Sequence, residues 1–285
     1  MAHKNKKGVL ISIMLQLEKS SGLPLELDDS LKLVFPNEVM VHSQTSRTID
    51  DLQPFLYENA SAPNPLIYRV FHDVGFTVHA SRIHAAGLRY DVTAINTGTI
   101  QFDDGTNEFF RTAGHYHKPS PEGVRYPEIY EVLAGRGRWI IQRYETDPAQ
   151  IDEIYLVEAG PGEKICVPPS FGHITINAET EPLVIANVIA DKVGYDYEPY
   201  KILRGAAARL LASEAPSMIE IESNRNYRVV PPLRKLKPKK DWYNGYFDPL
   251  YTLLASDPAK FSFLAKPETY RQDFFSIDRL YQEIK

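Results

Sequence analysis

Thr112-Ala113-Gly114-His115-Tyr116-His117, followed after ten residues by Glu128-Ile129-Tyr130-Glu131-Val132-Leu133-Ala134-Gly135, decides how this 285-residue chain is read. Successive side chains of a strand point to opposite sides, so the one-residue spacer puts His115 and His117 on the same face. Two imidazoles so placed can chelate one ion. An isolated His-x-His pair is more often packed or exposed without a metal, and its meaning depends on what accompanies it. Here Glu128 opens an apolar run, and Pro168-Pro169-Ser170-Phe171-Gly172 leads into His173, with Asn177 beyond. Three imidazoles and a carboxylate, from His115, His117, His173 and Glu128, suit one divalent ion such as Fe, Mn, Ni or Zn, with positions left for substrate.

Around these residues the chain is written in short runs rich in Val, Ile, Tyr, Phe and Thr. Leu66 to Phe71, Tyr90 to Ile95 and Arg138 to Arg143 are examples, separated by turn clusters such as Asp103-Asp104-Gly105 and Ala159-Gly160-Pro161-Gly162. Many short strands with regular turns predict a mainly β sandwich or barrel. The Ala- and Leu-rich run from Ile202 to Ser213 predicts a helix closing it. Met218 to Val230 predicts a hairpin turning at Asn224-Arg225-Asn226. Pro231-Pro232, with Lys235, Lys237, Lys239 and Lys240, predicts a solvated linker. The C-terminal residues, including Trp242, Tyr243, Tyr246, Phe247, Tyr251 and Leu253, are too aromatic for a disordered tail and are expected to pack on the barrel or on a partner subunit. Residues 1–50 offer no recognisable chemistry. The division expected is an N-terminal extension over 1–50, a barrel domain over 51–213 and a C-terminal extension over 214–285.

Thirty-two basic and 37 acidic residues are mixed along the chain for a net charge of -5, which argues against nucleic acid and for a small-molecule partner. Cys166 is the sole cysteine, so no intramolecular disulfide forms; between Ile165 and Val167 it reads as a buried strand residue. Lys4, Lys6 and Lys7 before the apolar run Gly8 to Leu15 imitate a signal peptide, but Glu18 and Lys19 follow and no cleavage site is visible. No stretch reaches the roughly 18 apolar residues of a membrane span. A cytoplasmic protein with no membrane partner is expected.

The motif residues resemble the two cupin motifs: His-x-His, then Glu128 with Gly135, then Gly162, Pro168, His173 and Asn177. The resemblance implies a double-stranded β-helix, or jelly-roll barrel, here with helix-containing extensions at both ends. Departures are Phe109 and Ser170 where the general motifs have Gly, and the ten residues between His117 and Glu128. That enlarged loop makes Glu122 a rival ligand, since it stands at the usual cupin spacing. Glu122 lies in the turn Pro119-Ser120-Pro121-Glu122-Gly123, whereas Glu128 starts a strand, so Glu128 is preferred. Glu131 is read as a strand residue on another face.

More specifically, these stretches, with Tyr90-Asp91-Val92-Thr93, Glu108-Phe109-Phe110, Glu181-Pro182 and Gly194-Tyr195-Asp196-Tyr197, are similar to the cupin-type glucose-6-phosphate isomerases. The similarity covers roughly residues 50 to 200. It implies a homodimer that interconverts glucose 6-phosphate and fructose 6-phosphate, with Thr93, Thr112, Gly114 and Tyr197 around the phosphate. Hydroxyls and a backbone N–H are fitting donors to phosphate oxygens. Glu128 could then act as both ligand and proton shuttle, with Tyr130 as its hydrogen-bonding neighbour. Ile189 stands where the family has a Tyr, and Tyr195 where it has a His. The alternatives are another cupin metalloenzyme, a dioxygenase or a different sugar-phosphate isomerase or epimerase, and a non-catalytic sugar-binding cupin.

Overall fold

Two large sheets carry most of the strands, and the chain crosses from one to the other several times. The computed structural model describes residues 3–4, 10–11, 14–60, 63–213, 218–242 and 247–284. One sheet has six strands, in the order Lys164–Val167, Glu128–Ala134, Leu183–Ala190, Leu88–Ile95, Leu66–Phe76 and Val39–Thr48. The other has five, in the order Gly172–Ile176, Gly137–Arg143, Glu153–Ala159, Arg234–Pro238 and Tyr281–Glu283. Glu128–Ala134 lies in the first sheet and its successor Gly137–Arg143 in the second; Lys164–Val167 and Gly172–Ile176 are divided in the same way. Such crossing between facing sheets is the jelly-roll arrangement, and the chain folds as a cupin barrel.

Leu66–Phe76, Leu88–Ile95 and Gly137–Arg143 form where their β-branched and aromatic content predicts strands. Cys166 is buried within Lys164–Val167, as its neighbours predict. Three local expectations are overturned. Ile202 to Ser213 is not a helix: a short helix ends at Ile202, Arg204 and Gly205 turn with positive φ, and Ala208–Ala212 is a strand. Tertiary context overrides the Ala and Leu helix preference here. The strand pairs with Ile219–Ser223 on one side and Asn107–Phe109 on the other, and Asn224 Nδ2 donates to the carbonyls of Leu203 and Ala206 at 2.9 and 3.0 Å.

The hairpin is therefore Ala208–Ala212 with Ile219–Ser223. Asn224 to Asn226 forms an Asx turn that sends the chain elsewhere, toward Ala149 and Ile151, instead of folding it back. Nor is the lysine-rich stretch a linker. Arg234–Pro238 runs parallel to Glu153–Ala159 with Leu236 and Pro238 buried and Lys235 and Lys237 exposed, a period-two pattern concealed by its charge.

Val39–Thr48, assigned from sequence to the N-terminal extension, is the outer strand of the six-stranded sheet and pairs along Leu66–Phe76. It was hard to read because its run Ser43-Gln44-Thr45-Ser46-Arg47 has no apolar residue. The C-terminal residues pack on the barrel's outer surface. The Leu250 amide donates to Glu131 at 2.8 Å, the Tyr251 hydroxyl accepts from the Phe76 amide at 2.6 Å, and the Tyr281 hydroxyl bonds both backbone groups of Cys166. Glu131 also takes the buried Lys164 ammonium at 2.8 Å, on the face away from the histidines. Tyr243, Tyr246 and half of the run Gly8 to Leu15 lie outside the described residues. Among the described residues no helix is long and apolar enough to cross a membrane.

Candidate functional site

His115 and His173 are bridged partners whose backbones exchange hydrogen bonds at 3.2 and 3.0 Å, which brings the two separate histidine motifs side by side. His117 continues the same face two residues on, and Glu128 heads a strand of the six-stranded sheet, across from the sheet that carries His173. His115 Nε2 lies 3.2 Å from His117 Nε2, and the Glu128 Oε2 atom lies 3.3 Å from His117 Nε2 and 3.4 Å from His173 Nε2. All four ligand atoms fall within 4.8 Å of one another. An ion about 2.0–2.2 Å from each of four such ligands separates them by roughly 3–4.5 Å, so the spacing fits. Glu122 is exposed on its turn and outside the cluster.

The donor atoms suit a cation. Glu128 Oε2 is buried with no hydrogen-bond partner, an arrangement that a cation compensates. Burial, reinforced by the neighbouring imidazoles, pushes the His115 and His173 pKa values well below the usual histidine range, so both rings are neutral. His117 Nδ1 lies 2.7 Å from the Tyr126 carbonyl; if that nitrogen donates, its Nε2 lone pair is turned into the cluster. Tyr126 belongs to the enlarged loop, which is itself a small turn closed by Ser120 and Val124 at 2.8 Å. The insertion thus supplies the carbonyl that lies against the His117 ring.

A cavity opens beside the cluster. Its lining follows strand alternation: Thr45 and Arg47, Tyr68 and His72, Asp91 and Thr93, Glu128 and Tyr130, His173 and Thr175 each stand an even number of residues apart. Thr93, Thr112, Gly114 and Tyr197 all line it, as do His115, Glu128, Tyr130 and His173. Thr112 Oγ1 accepts from the Thr175 amide at 3.0 Å, which leaves its hydroxyl hydrogen to donate elsewhere. Tyr130 Oη lies 2.8 Å from His173 Nε2, and burial beside the Glu128 carboxylate raises its pKa well above the usual range. It is a neutral donor.

Sequence reasoning missed Arg47, which stands opposite Tyr68 in the strand ladder and brings a positive charge to the cavity wall with the two threonines and Gly114. The signal available was the two-residue step from Thr45 to Arg47. Asp91, buried and joined to Arg89 at 3.0 Å and to His72 at 3.4 Å, was also passed over. Ile189 does not line the cavity; it is fully buried and packs, with Ala190 and Val193, against Tyr195.

The fold and the cluster define a cupin barrel with a three-histidine, one-carboxylate centre at its mouth. A sequence model described as glucose-6-phosphate isomerase matches residues 46–227, more than half the chain, and the protein belongs to that enzyme family, in its cupin-type branch. A glucose-6-phosphate isomerase of Pyrococcus abyssi is 30% identical over 65% of this chain and 84% of its own length, and one of Thermococcus litoralis is 25% identical over 59% and 80%. Among solved structures, a Bacillus subtilis oxalate decarboxylase bears a slight likeness, with 16% identity, a TM-score of 0.31, and coverage of 44% of this chain and 26% of that one.

Proposed function

We propose that the protein interconverts glucose 6-phosphate and fructose 6-phosphate at one divalent metal ion held by His115, His117, Glu128 and His173. The observation that carries this reading is the buried, partnerless Glu128 Oε2 among three imidazoles, beside a polar cavity in a member of this family. Aldose–ketose conversion moves a hydrogen between C1 and C2, and a cation stabilises the negative charge that develops on the sugar oxygen. Glu128 is the group able to take the proton from one carbon and return it to the other, and the Tyr130 hydroxyl donates beside it.

Phosphate recognition falls to Thr93, Thr112, the Gly114 backbone and Tyr197, with Arg47 adding the charge that makes such hydrogen bonds stronger than neutral ones. A metal-assisted hydride shift is the rival to proton transfer. Substrate labelled with deuterium at C2 separates them, since complete retention in the product eliminates a freely exchanging enediol. The function itself is tested by a coupled assay on fructose 6-phosphate with protein loaded in turn with Fe, Mn, Ni and Zn. Turnover with at least one metal is expected, and none with any of them refutes the reading. A homodimer is the expected assembly, to be checked by sedimentation.

A further inference from the structure

Tyr195 stands against the metal cluster and is held there from three directions. Its ring meets His115 edge-on, with centroids 4.7 Å apart at 82°. Behind it pack Ile189, Ala190 and Val193. Arg89, directly across the sheet from Ile189, places Nη2 2.5 Å from the Tyr195 hydroxyl oxygen. The guanidinium is fixed in turn: Nε lies 3.2 and 3.0 Å from the two Asp91 oxygens, and Nη1 donates to the Asp191 carbonyl at 2.9 Å. Asp91 is held by the Asp73 amide at 2.8 Å and faces His72 Nδ1 at 3.4 Å.

This arrangement has a chemical direction. A guanidinium only donates hydrogen bonds, so the Tyr195 oxygen accepts from Arg89 and its own hydrogen must find an acceptor elsewhere. Tyr195 lines the cavity together with Glu128 and Tyr130. Donation from a charged group also polarises the O–H and strengthens the bond it makes. Building on the isomerase reading, we infer that Tyr195 donates a hydrogen bond to a substrate oxygen at the metal end of the cavity, and that Arg89 and Asp91 are its positioning residues. The role requires donation, not ionisation. It gives the Arg89–Asp91 pair a purpose beyond packing, and it uses a side chain that the family pattern does not have at this position.

The test uses Tyr195→Phe, which keeps the ring against His115 and Ile189 and removes the hydroxyl alone. With metal-loaded enzyme and fructose 6-phosphate, kcat should fall about 10–100-fold with KM within about 3-fold, the pattern for a donor needed most as charge develops. Bound metal, measured by mass spectrometry, should stay at the wild-type level. A five-carbon aldonic acid phosphate, whose carboxylate imitates the enediolate, should bind about 10-fold or more weakly by calorimetry, while inorganic phosphate binds unchanged. Arg89→Gln should lower kcat in the wild-type background and have little further effect on Tyr195→Phe, as expected if Arg89 acts through the hydroxyl. A kcat and an aldonate affinity within about 2-fold of wild type overturn the inference, as does a loss of activity that tracks lost metal. If the wild type fails to turn over fructose 6-phosphate, the isomerase reading falls, and the aldonate titration still decides whether Tyr195 donates.

Discussion

Gly114 links the histidine pair to the cavity wall, and replacing it with alanine should disturb both. Its φ is +82°, a region that costs an L-residue about 1–2 kcal/mol. A Cβ there would lie 2.3 Å from Ile174 Cγ2 and 2.8 Å from the Tyr200 ring, both fully buried side chains with little room to retreat. Overpacking of that kind costs roughly 1–3 kcal/mol more. Alanine recovers about 0.4–1 kcal/mol through the less flexible unfolded chain. The sum for Gly114→Ala is a destabilisation of roughly 1–4.5 kcal/mol, centred near 3, read from urea midpoints at constant m. Because His115 follows immediately and is bridged to His173, metal affinity should fall as well. Gly123→Ala is the control: φ is +85° but nothing lies within 4 Å of its Cβ, so it should show the backbone contribution alone. A Gly114→Ala loss below about 1 kcal/mol, with metal affinity intact, would refute the reasoning, because Ile174 and Tyr200 would then have yielded freely.

Ser170, where the cupin motif has glycine, adopts φ +69°, so Ser170→Gly should stabilise by roughly 0.5–1 kcal/mol and raise Tm by a few degrees, checked by calorimetry. His173→Ala should empty the metal site and abolish turnover; full activity would refute its assignment as a ligand. Glu128→Gln should do the same while Glu122→Gln, changing an exposed turn residue, leaves metal content and kcat as they were. Burial raises the Asp91 pKa, but His72, Arg89 and the Asp73 amide outweigh it and hold the carboxyl below its usual value. Its stabilisation is therefore present above about pH 4 and lost as pH falls through the lowered pKa. Asp91→Asn should cost about 3–5 kcal/mol at pH 7 by leaving Arg89 unpaired, and the gap to wild type should narrow below pH 4 in acid unfolding curves.

The cluster of three histidines and a glutamate was legible because its members carry local signatures. Two histidines on one strand face and a glutamate at the head of a strand need no tertiary information to be grouped, and the proline turn marks His173. Arg47 carries no such signature. Its strand borders a polar cavity and buries almost nothing, so the apolar alternation by which strands are recognised is missing. Ala208–Ala212 misleads in the opposite sense: composition favours a helix, but strand neighbours on both sides take its backbone hydrogen bonds.

The sequence by itself determined the barrel class and picked out His115, His117, Glu128 and His173, with Glu128 ahead of Glu122, as the side chains that the fold gathers, because these depend on residue type, period two and turn chemistry. Tertiary structure alone decided that Arg47 joins the threonine-lined wall of the cavity, that the enlarged loop sets the Tyr126 carbonyl 2.7 Å from His117 Nδ1, and that Arg89 meets the Tyr195 hydroxyl. Those relations join residues up to 106 positions apart. They follow from the register in which distant strands pair, and a strand's own residues do not state which partner it will meet.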